Sequence, residues 1–120
     1  MQTIICMKWG SRYGPEFVNR LYAAINRHTK RTTKLYCFTD NSKDIDKNVI
    51  CKPLPTINLP DSISFTPWRK LSIWQFPLED LNGDILFLDL DLVITGSLDP
   101  FFDYKPGKYC VIENWTQIGR

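Results

Sequence analysis

The sequence predicts an α/β fold, in which a mixed, mostly parallel sheet is flanked by helices. Short apolar runs, as found in strands, alternate along the chain with segments whose apolar residues recur every three or four positions, as in helices. The order strand, helix, strand, strand, helix, strand is typical of a sheet with helices on both faces. The apolar run at residues 85–88 has no polar alternation, which favours a strand covered on both faces inside a parallel sheet.

The first half of the chain is predicted to form one helix between strands. Strands are expected at residues 3–7, 35–39 and 49–54. Phe17, Leu21, Ile25 and His28 recur every four residues and predict a helix, with His28 on the helix face and not a ligand. Pro15 suits the first turn of this helix, because the N–H that proline lacks would have no partner there.

The second half repeats the alternation. Thr66-Pro67 offers an N-cap and a first-turn proline, and the apolar spacing through Leu78 predicts a second helix. Asn82-Gly83 predicts a turn, and a strand is expected to follow within residues 84–94. Asp99-Pro100 is expected to start a short helical turn, and residues 108–113 to form a last strand.

Composition narrows the possible partners. The 120 residues correspond to one domain or part of one, and 15 Lys+Arg against 13 Asp+Glu give a net charge of +2. This balance argues against a polybasic nucleic-acid arm, so no nucleic-acid partner is expected. No apolar run approaches the roughly 18 residues of a transmembrane helix. The first residues also lack the features of a secretory signal. We therefore expect a soluble protein without a transmembrane segment.

The cysteines predict buried, reduced thiols. Cys6, Cys37, Cys51 and Cys110 each lie in an apolar stretch, and none belongs to a C-x-x-C pair. With a single histidine in the chain, no Cys/His zinc pattern is formed. Thiols that pack as small hydrophobic groups favour a reducing compartment, so a cytoplasmic location is expected.

Two aspartates directly after the apolar run are the most informative residues. In an extended strand, Asp89 and Asp91 would share one side of the sheet, and two such carboxylates repel each other and attract a cation. Mg²⁺ or Mn²⁺ is the expected ion, because hard divalent cations bind carboxylates together with substrate phosphates. The alternative is that both aspartates cap turns or accept backbone N–H groups at the strand end.

The stretch Gly83-Asp84-Ile85-Leu86-Phe87-Leu88-Asp89-Leu90-Asp91, with the tail at residues 92–102, closely resembles the Asp-x-Asp region of GT-A-fold glycosyltransferases. The nearest resemblance is to family 8, which includes glycogenin and bacterial lipopolysaccharide hexosyltransferases. Met7-Lys8-Trp9-Gly10 through Tyr13, Cys37-Phe38-Thr39-Asp40 and Trp68-Arg69-Lys70-Leu71 fit the same resemblance. It covers nearly the whole chain and implies a Rossmann-like GT-A fold, with residues 1–120 as one nucleotide-sugar-binding domain.

The resemblance also implies roles for the Asp-x-Asp residues. Asp91 becomes the direct metal ligand, Asp89 bridges the ribose and the metal, and Leu90 between them belongs to the substrate-binding residues. Lys70 would direct a cation at the diphosphate or the donor sugar, although a helical lysine is equally expected to be simply solvated.

Two loops are implied to hold the nucleoside. Lys8, Trp9 and Gly10 would line the base and ribose pocket, with Trp9 stacking on the base. Asp40 would accept a hydrogen bond from the base or ribose. The alternatives are a core or interface position for Trp9 and a turn-closing role for Asp40.

The implied activity is metal-dependent transfer of a hexose from a nucleotide-diphosphate sugar, a UDP-sugar, to a hydroxyl acceptor. Family members are considerably longer, so the chain is expected to be the amino-terminal, donor-binding portion of such an enzyme. On its own it is expected to turn over little or nothing. The apolar sheet surface that an incomplete fold exposes would then be available for self-association.

Two other functions remain open from the sequence. Haloacid-dehalogenase-type phosphatases also place Asp-x-Asp after an apolar strand, with the first aspartate as nucleophile and the second as acid/base, which Asp89 and Asp91 fit loosely. A non-catalytic nucleotide-binding or interaction module is the third interpretation.

Overall fold

The fold is known from a computed structural model, which describes residues 2–55, 83–104 and residue 107. The strands in these ranges are β1 (Gln2–Lys8), β2 (Thr33–Thr39), β3 (Ile50–Lys52) and β4 (Ile85–Phe87), and the helices are α1 (Pro15–His28) and α2 (Asp99–Asp103). Neither helix has the length and apolar character needed to traverse a bilayer. The predicted helix that ends at Leu78 and the predicted strand at 108–113 lie outside the described residues.

The described strands form one parallel sheet in the order β3-β2-β1-β4. This confirms the predicted α/β class. Strand β1 pairs with β2 from Gln2 to Lys8 and with β4 from Thr3 to Ile5. The almost entirely buried strand β1 is thus hydrogen-bonded along its whole length on the β2 side and from Thr3 to Ile5 on the β4 side, which satisfies the backbone groups of these residues.

Side chains of β1 alternate between two apolar clusters, one on each face of the sheet. The cluster that includes α1, here called the α1-side core, consists of Ile4, Cys6, Val18, Leu21, Ile25, Leu35, Cys37, Val49, Leu88, Leu90 and Leu98. The cluster on the other face, here called the second core, consists of Ile5, Met7 and Phe38. A strand with apolar residues at successive positions is thus covered on both faces, as parallel sheets require.

Helix α1 begins and ends as its sequence predicts. Pro15 lies in the first turn, and the helix buries Val18, Leu21 and Ile25 against the sheet. The helix ends where Thr29 donates both its backbone N–H and its hydroxyl to the carbonyl of Ile25. The buried stripe is centred on Val18 rather than on Phe17, which is half-buried at its margin.

Strand β4 is short, and its three residues, Ile85–Phe87, are all half-buried. Leu86 packs against the α1-side core, and Ile85 and Phe87 pack against the second core, so the strand has apolar contacts on both faces, as its sequence predicts. Pairing continues by one bond from Leu88 N–H to the Ile5 carbonyl, and the chain then turns at Leu90 and Asp91. Leu88 and Leu90 both enter the α1-side core, so burial of leucine competes with further strand extension.

Asp99 joins the segment after β4 to the loop between α1 and β2. Its Oδ2 accepts the Lys30 backbone N–H at 3.1 Å, and its own N–H donates to Ser97 Oγ at 3.1 Å. The Asp99 side chain is buried, and the Lys30 N–H is the main cause that holds its pKa below the usual range. Nearby, Arg31 donates two 2.7 Å hydrogen bonds to Asp103, but both side chains are at least half exposed.

Acid should therefore weaken the attachment of α2. A carboxyl whose pKa is lowered on folding stabilises the folded state above its unfolded pKa, and this contribution is lost as pH falls through the lowered folded value. We expect Asp99→Asn to lower the thermal midpoint at neutral pH, and the difference from wild type to shrink below about pH 4. Thermal unfolding across pH measures this. Asp103→Asn is the control and should cost less, because its ion pair is exposed; a pH-independent Asp99→Asn difference would contradict the interpretation.

Three cysteines form a row across adjacent strands. Cys6 lies opposite Cys37 in the β1–β2 register, and Cys37 lies opposite Cys51 in the β2–β3 register. All three are free thiols, and Cys6 and Cys37 are buried as the sequence predicts, whereas Cys51 is only half-buried. The hydrogen bond with Cys37, together with burial, raises the pKa of the Cys6 thiol far above its usual value, while burial raises that of half-buried Cys51.

The thiols should react in the order of their exposure. At mildly alkaline pH, iodoacetamide should modify Cys51 well before Cys6, because the thiolate is the reactive form and Cys6 has no exposed surface. Trypsin places these cysteines on separate peptides, so mass spectrometry of a time course resolves each rate. Denatured protein provides the control, in which both rates should become equal. Equal rates in the folded protein would disprove the assignment.

Candidate functional site

The candidate site lies at the carboxyl edge of the sheet, defined here by Lys8, Thr39 and Phe87, the last residues of β1, β2 and β4. From β1 the chain proceeds through β2 to β3 on one side, whereas β4 pairs on the other side of β1. The boundary between β1 and β4 is therefore a point where the strand order reverses. In open parallel sheets, ligands bind beyond the carboxyl ends of the strands at such a point.

Seven predicted site residues lie at or just beyond this edge. Lys8 ends β1, and Trp9 and Gly10 follow it; Asp40 follows β2; Asp89, Leu90 and Asp91 follow β4. Parallel pairing of the three strands thus brings residues from three separate parts of the chain to one side of the sheet. Lys70, the remaining predicted site residue, lies outside the described residues.

A turn, not an extended strand, presents the Asp-x-Asp motif. Asp89 is half-buried and interacts with the rest of the chain, Leu90 is only 7% exposed, and Asp91 is exposed. The expectation that both carboxylates occupy one side of a strand is wrong, because burial of Leu90 in the α1-side core draws the chain out of the sheet. Any contact of Leu90 with a ligand would therefore come from its backbone.

The described residues supply at most two carboxylates for a cation. Among them, no three His, Cys, Asp or Glu side chains converge as a metal site. Asp89 and Asp91 are nonetheless the hard oxygen donors that Mg²⁺ and Mn²⁺ prefer, and these ions commonly use one or two carboxylates and complete their shell with phosphate and water. The donor chemistry of the pair therefore fits such an ion.

Asp40 bonds to the loop after β1. Its Oδ2 accepts the Gly10 backbone N–H at 3.0 Å, across 30 residues of sequence. Gly10 has φ of +65°, a left-handed conformation that glycine adopts without steric cost. The turn after β2 is closed by other residues, since Thr39 Oγ1 accepts the Asn41 N–H and Asn41 Oδ1 accepts the Lys43 N–H. Sequence reasoning had no signal for the Asp40–Gly10 bond.

Trp9 is held in place by packing against the sheet. It is half-buried and packs against the second core on the face of the sheet away from α1. This places a large aromatic group beside the carboxyl edge with part of its surface exposed. Beyond it, the Arg12 guanidinium lies 5.6 Å from the centre of the Tyr13 ring, which meets Phe17 edge-on at 4.9 Å.

Lys8, at the carboxyl edge, is unusually buried for a lysine. Its exposure is 5%, although lysine is almost never so buried without a partner. In the described part of the chain, Lys8 forms no hydrogen bond or ion pair through its side chain. Because side chains alternate along a strand, Lys8 projects to the same face as Cys6, the face covered by α1.

A cavity of about 460 Å³ lies at the opposite, amino-terminal edge of the sheet. It is lined by Gln2, Arg31, Thr32, Asp84, Phe102 and Asp103. Its charged groups are already engaged, Arg31 with Asp103 and Asp84 with the Gly107 N–H. Gln2 lines the cavity, and its Nε2 is buried without a hydrogen bond of good geometry, as is Asp99 Oδ1, which does not line the cavity. The Gln2 side chain nevertheless contributes to lowering the pKa of Asp99. Those predicted site residues that the structure describes lie at the other edge.

Comparison of the chain with protein-family models, with curated proteins and with solved structures gave no match. The function is therefore argued from the residues of the site and from their placement in the sheet.

Removing the Asp40 carboxylate should free the loop that carries Trp9. We expect Asp40→Ala to increase hydrogen exchange of the Gly10 amide about fivefold, which corresponds to one hydrogen bond of roughly 1 kcal/mol. Asp40→Asn keeps an oxygen that accepts the bond and should preserve protection. The Asn48 amide, which bonds to Asp46 Oδ1 at 2.8 Å, serves as the reference within the same spectra. Equal Gly10 exchange in Asp40→Ala and wild type would rule out this role.

Proposed function

We propose that this chain is the donor-binding part of a GT-A-type glycosyltransferase. The donor is a UDP-sugar, and the enzyme transfers the hexose of this donor to a hydroxyl acceptor. The observation that carries the proposal is the position of Asp89-Leu90-Asp91. The motif follows β4 directly at the place where the strand order reverses beside β1. A carboxylate pair there supports binding of a divalent cation where a nucleotide is expected.

The two aspartates differ in how they would hold the ion. Asp91 is exposed and can turn its carboxylate toward a cation beyond the strand ends, so we assign it as the direct ligand. Asp89 is half-buried and held by the rest of the chain, which suits a residue that bridges the metal and the ribose. Mn²⁺ or Mg²⁺, when bound, neutralises charge on the departing diphosphate. Burial of Leu90 fixes the backbone between the two carboxylates.

The nucleoside would lie over the loop after β1. Trp9 offers a partly exposed aromatic surface for stacking, and its other side is held by the second core. Asp40 restrains Gly10 and with it the backbone beside Trp9. In this proposal Asp40 shapes the pocket by holding the loop, and the contact to base or ribose comes from the loop itself.

The remaining parts of the proposal concern residues and surfaces around this site. Lys70 is assigned to the diphosphate or the donor sugar by the resemblance.

The free thiols Cys6 and Cys37 support a reducing, cytoplasmic location. The large apolar side chains that are exposed in the described residues lie after β4 and not on a strand: Leu92, Val93, Phe101 and Tyr104. We assign self-association to this segment.

Binding of UDP should depend on the metal and on the carboxylate pair. With Mn²⁺ present, we expect Asp89→Asn and Asp91→Asn each to weaken UDP binding at least about tenfold by isothermal titration, because each removes one anionic ligand of the ion. Asp84→Asn is the matched control, since Asp84 precedes the same strand at its opposite end and asparagine retains the oxygen that accepts the Gly107 N–H.

Three results would count against the proposal. These are UDP binding of equal strength after chelation of Mn²⁺, unchanged binding in both variants, or Asp89-dependent hydrolysis of p-nitrophenyl phosphate. The last result would favour the phosphatase interpretation, in which Asp89 is a nucleophile.

A further inference from the structure

We propose that Lys8 binds the phosphate groups of the nucleotide donor, with its ammonium as the cation that faces the diphosphate from β1. This inference rests on the proposed function, because it assumes that a nucleotide diphosphate occupies the carboxyl edge. The observation behind it is the burial of Lys8, which is 5% exposed and has no hydrogen-bond or ion-pair partner among the described residues.

The side chain of Lys8 is buried along its apolar stem, and its ammonium is not among the fully buried side-chain atoms of the described residues that lack a hydrogen bond. The ammonium therefore lies where the buried stem reaches solvent, held in place without an opposite charge, and ordering a lysine in this way costs side-chain entropy. At the same position in the strand, an apolar side chain such as those of Ile4 or Cys6 would pack without this cost. Residues that violate the rules of a stable core are expected where function requires them. An anionic ligand that supplies the missing charge accounts for a lysine at this position.

The neighbouring carboxylates do not fill this role. Asp40 directs its Oδ2 to the Gly10 N–H, and Asp91 is exposed after the turn. Neither these two nor Asp89 forms an ion pair with Lys8. The edge therefore presents two kinds of charge, a carboxylate pair after β4 and an ammonium at the end of β1. A metal-bound diphosphate matches both, because its cation meets the carboxylates and its remaining oxygens meet the ammonium.

In this assignment Lys8 contacts the phosphates of the donor and not its base or ribose. Lysine acts on phosphate as a point charge, with three donors that can reach several oxygens. It gives little selectivity for the base or the ribose, which other groups must recognise. Lys8 should consequently contribute to the affinity for UDP and not to the affinity for uridine, a ligand that contains the same base and ribose without phosphate.

The test uses Lys8→Met, which keeps the length of the side chain and removes its charge. Titration with UDP in the presence of Mn²⁺ should show a loss of roughly 10- to 150-fold, as expected for a hydrogen bond to a charged group. Uridine binding should change less than about twofold. The thermal midpoint should stay equal or rise, because the unpaired charge has been removed. Lys34→Met is the matched control, since Lys34 is exposed at the opposite end of β2.

Results other than these would overturn the inference, and they distinguish it from the proposed function. Unchanged UDP binding in Lys8→Met, with normal binding by wild type, would remove Lys8 from the phosphate site and leave the proposed function intact. A lower midpoint with equal losses for UDP and uridine would show a structural role. Failure of wild type to bind UDP would overturn both proposals, unless inorganic pyrophosphate still binds in a Lys8-dependent manner. That result would retain the phosphate site and reject only the nucleotide donor.

Discussion

Hydrogen bonding of β1 to both of its neighbours is the constraint on which the described structure depends. A strand with Ile4 and Ile5 in succession must be covered on two faces, and its backbone must be paired on two edges. Burial of each isoleucine contributes about 1.5–3 kcal/mol, so exposing either face would be costly. Parallel pairing on both edges also fixes where β2 and β4 end. The functional edge is thus a consequence of the way the core is built.

Core packing also determines how the Asp-x-Asp motif is presented. Had β4 continued, Asp89 and Asp91 would have pointed to one face of the sheet. Leu88 and Leu90 instead enter the α1-side core, and the chain turns between the aspartates. The segment that follows is held by Asp99 on the Lys30 N–H. The motif is therefore supported on both sides, by leucine burial before the turn and by a buried carboxylate after it.

The sequence predicts the parts of this fold that local pattern determines. The periodic apolar residues and Pro15 define α1, and unbroken apolar runs define β1 and β2. These elements are predictable because the spacing of apolar residues within a helix or strand reflects which of its sides are buried. The length of β4 could not be predicted, since it depends on the packing of Leu90 against residues far away in the chain. The Asp40–Gly10 bond and the burial of Lys8 are also tertiary effects. Propensity alone would have placed Lys8 in solvent.

The two edges of the sheet differ in how their charges are balanced. At the amino-terminal edge, Asp99 accepts a backbone N–H, and Arg31 meets Asp103 in a two-bond pair. At the carboxyl edge, Lys8 is buried with no ion pair in the described chain, while Asp91 extends into solvent. Packing alone does not explain this difference, because an apolar residue would suit the place of Lys8 better. Selection for stability would balance both edges, whereas selection for binding leaves charges at one edge to be balanced by the ligand. The charge pattern and the reversal of strand order therefore lead independently to the same edge of the sheet.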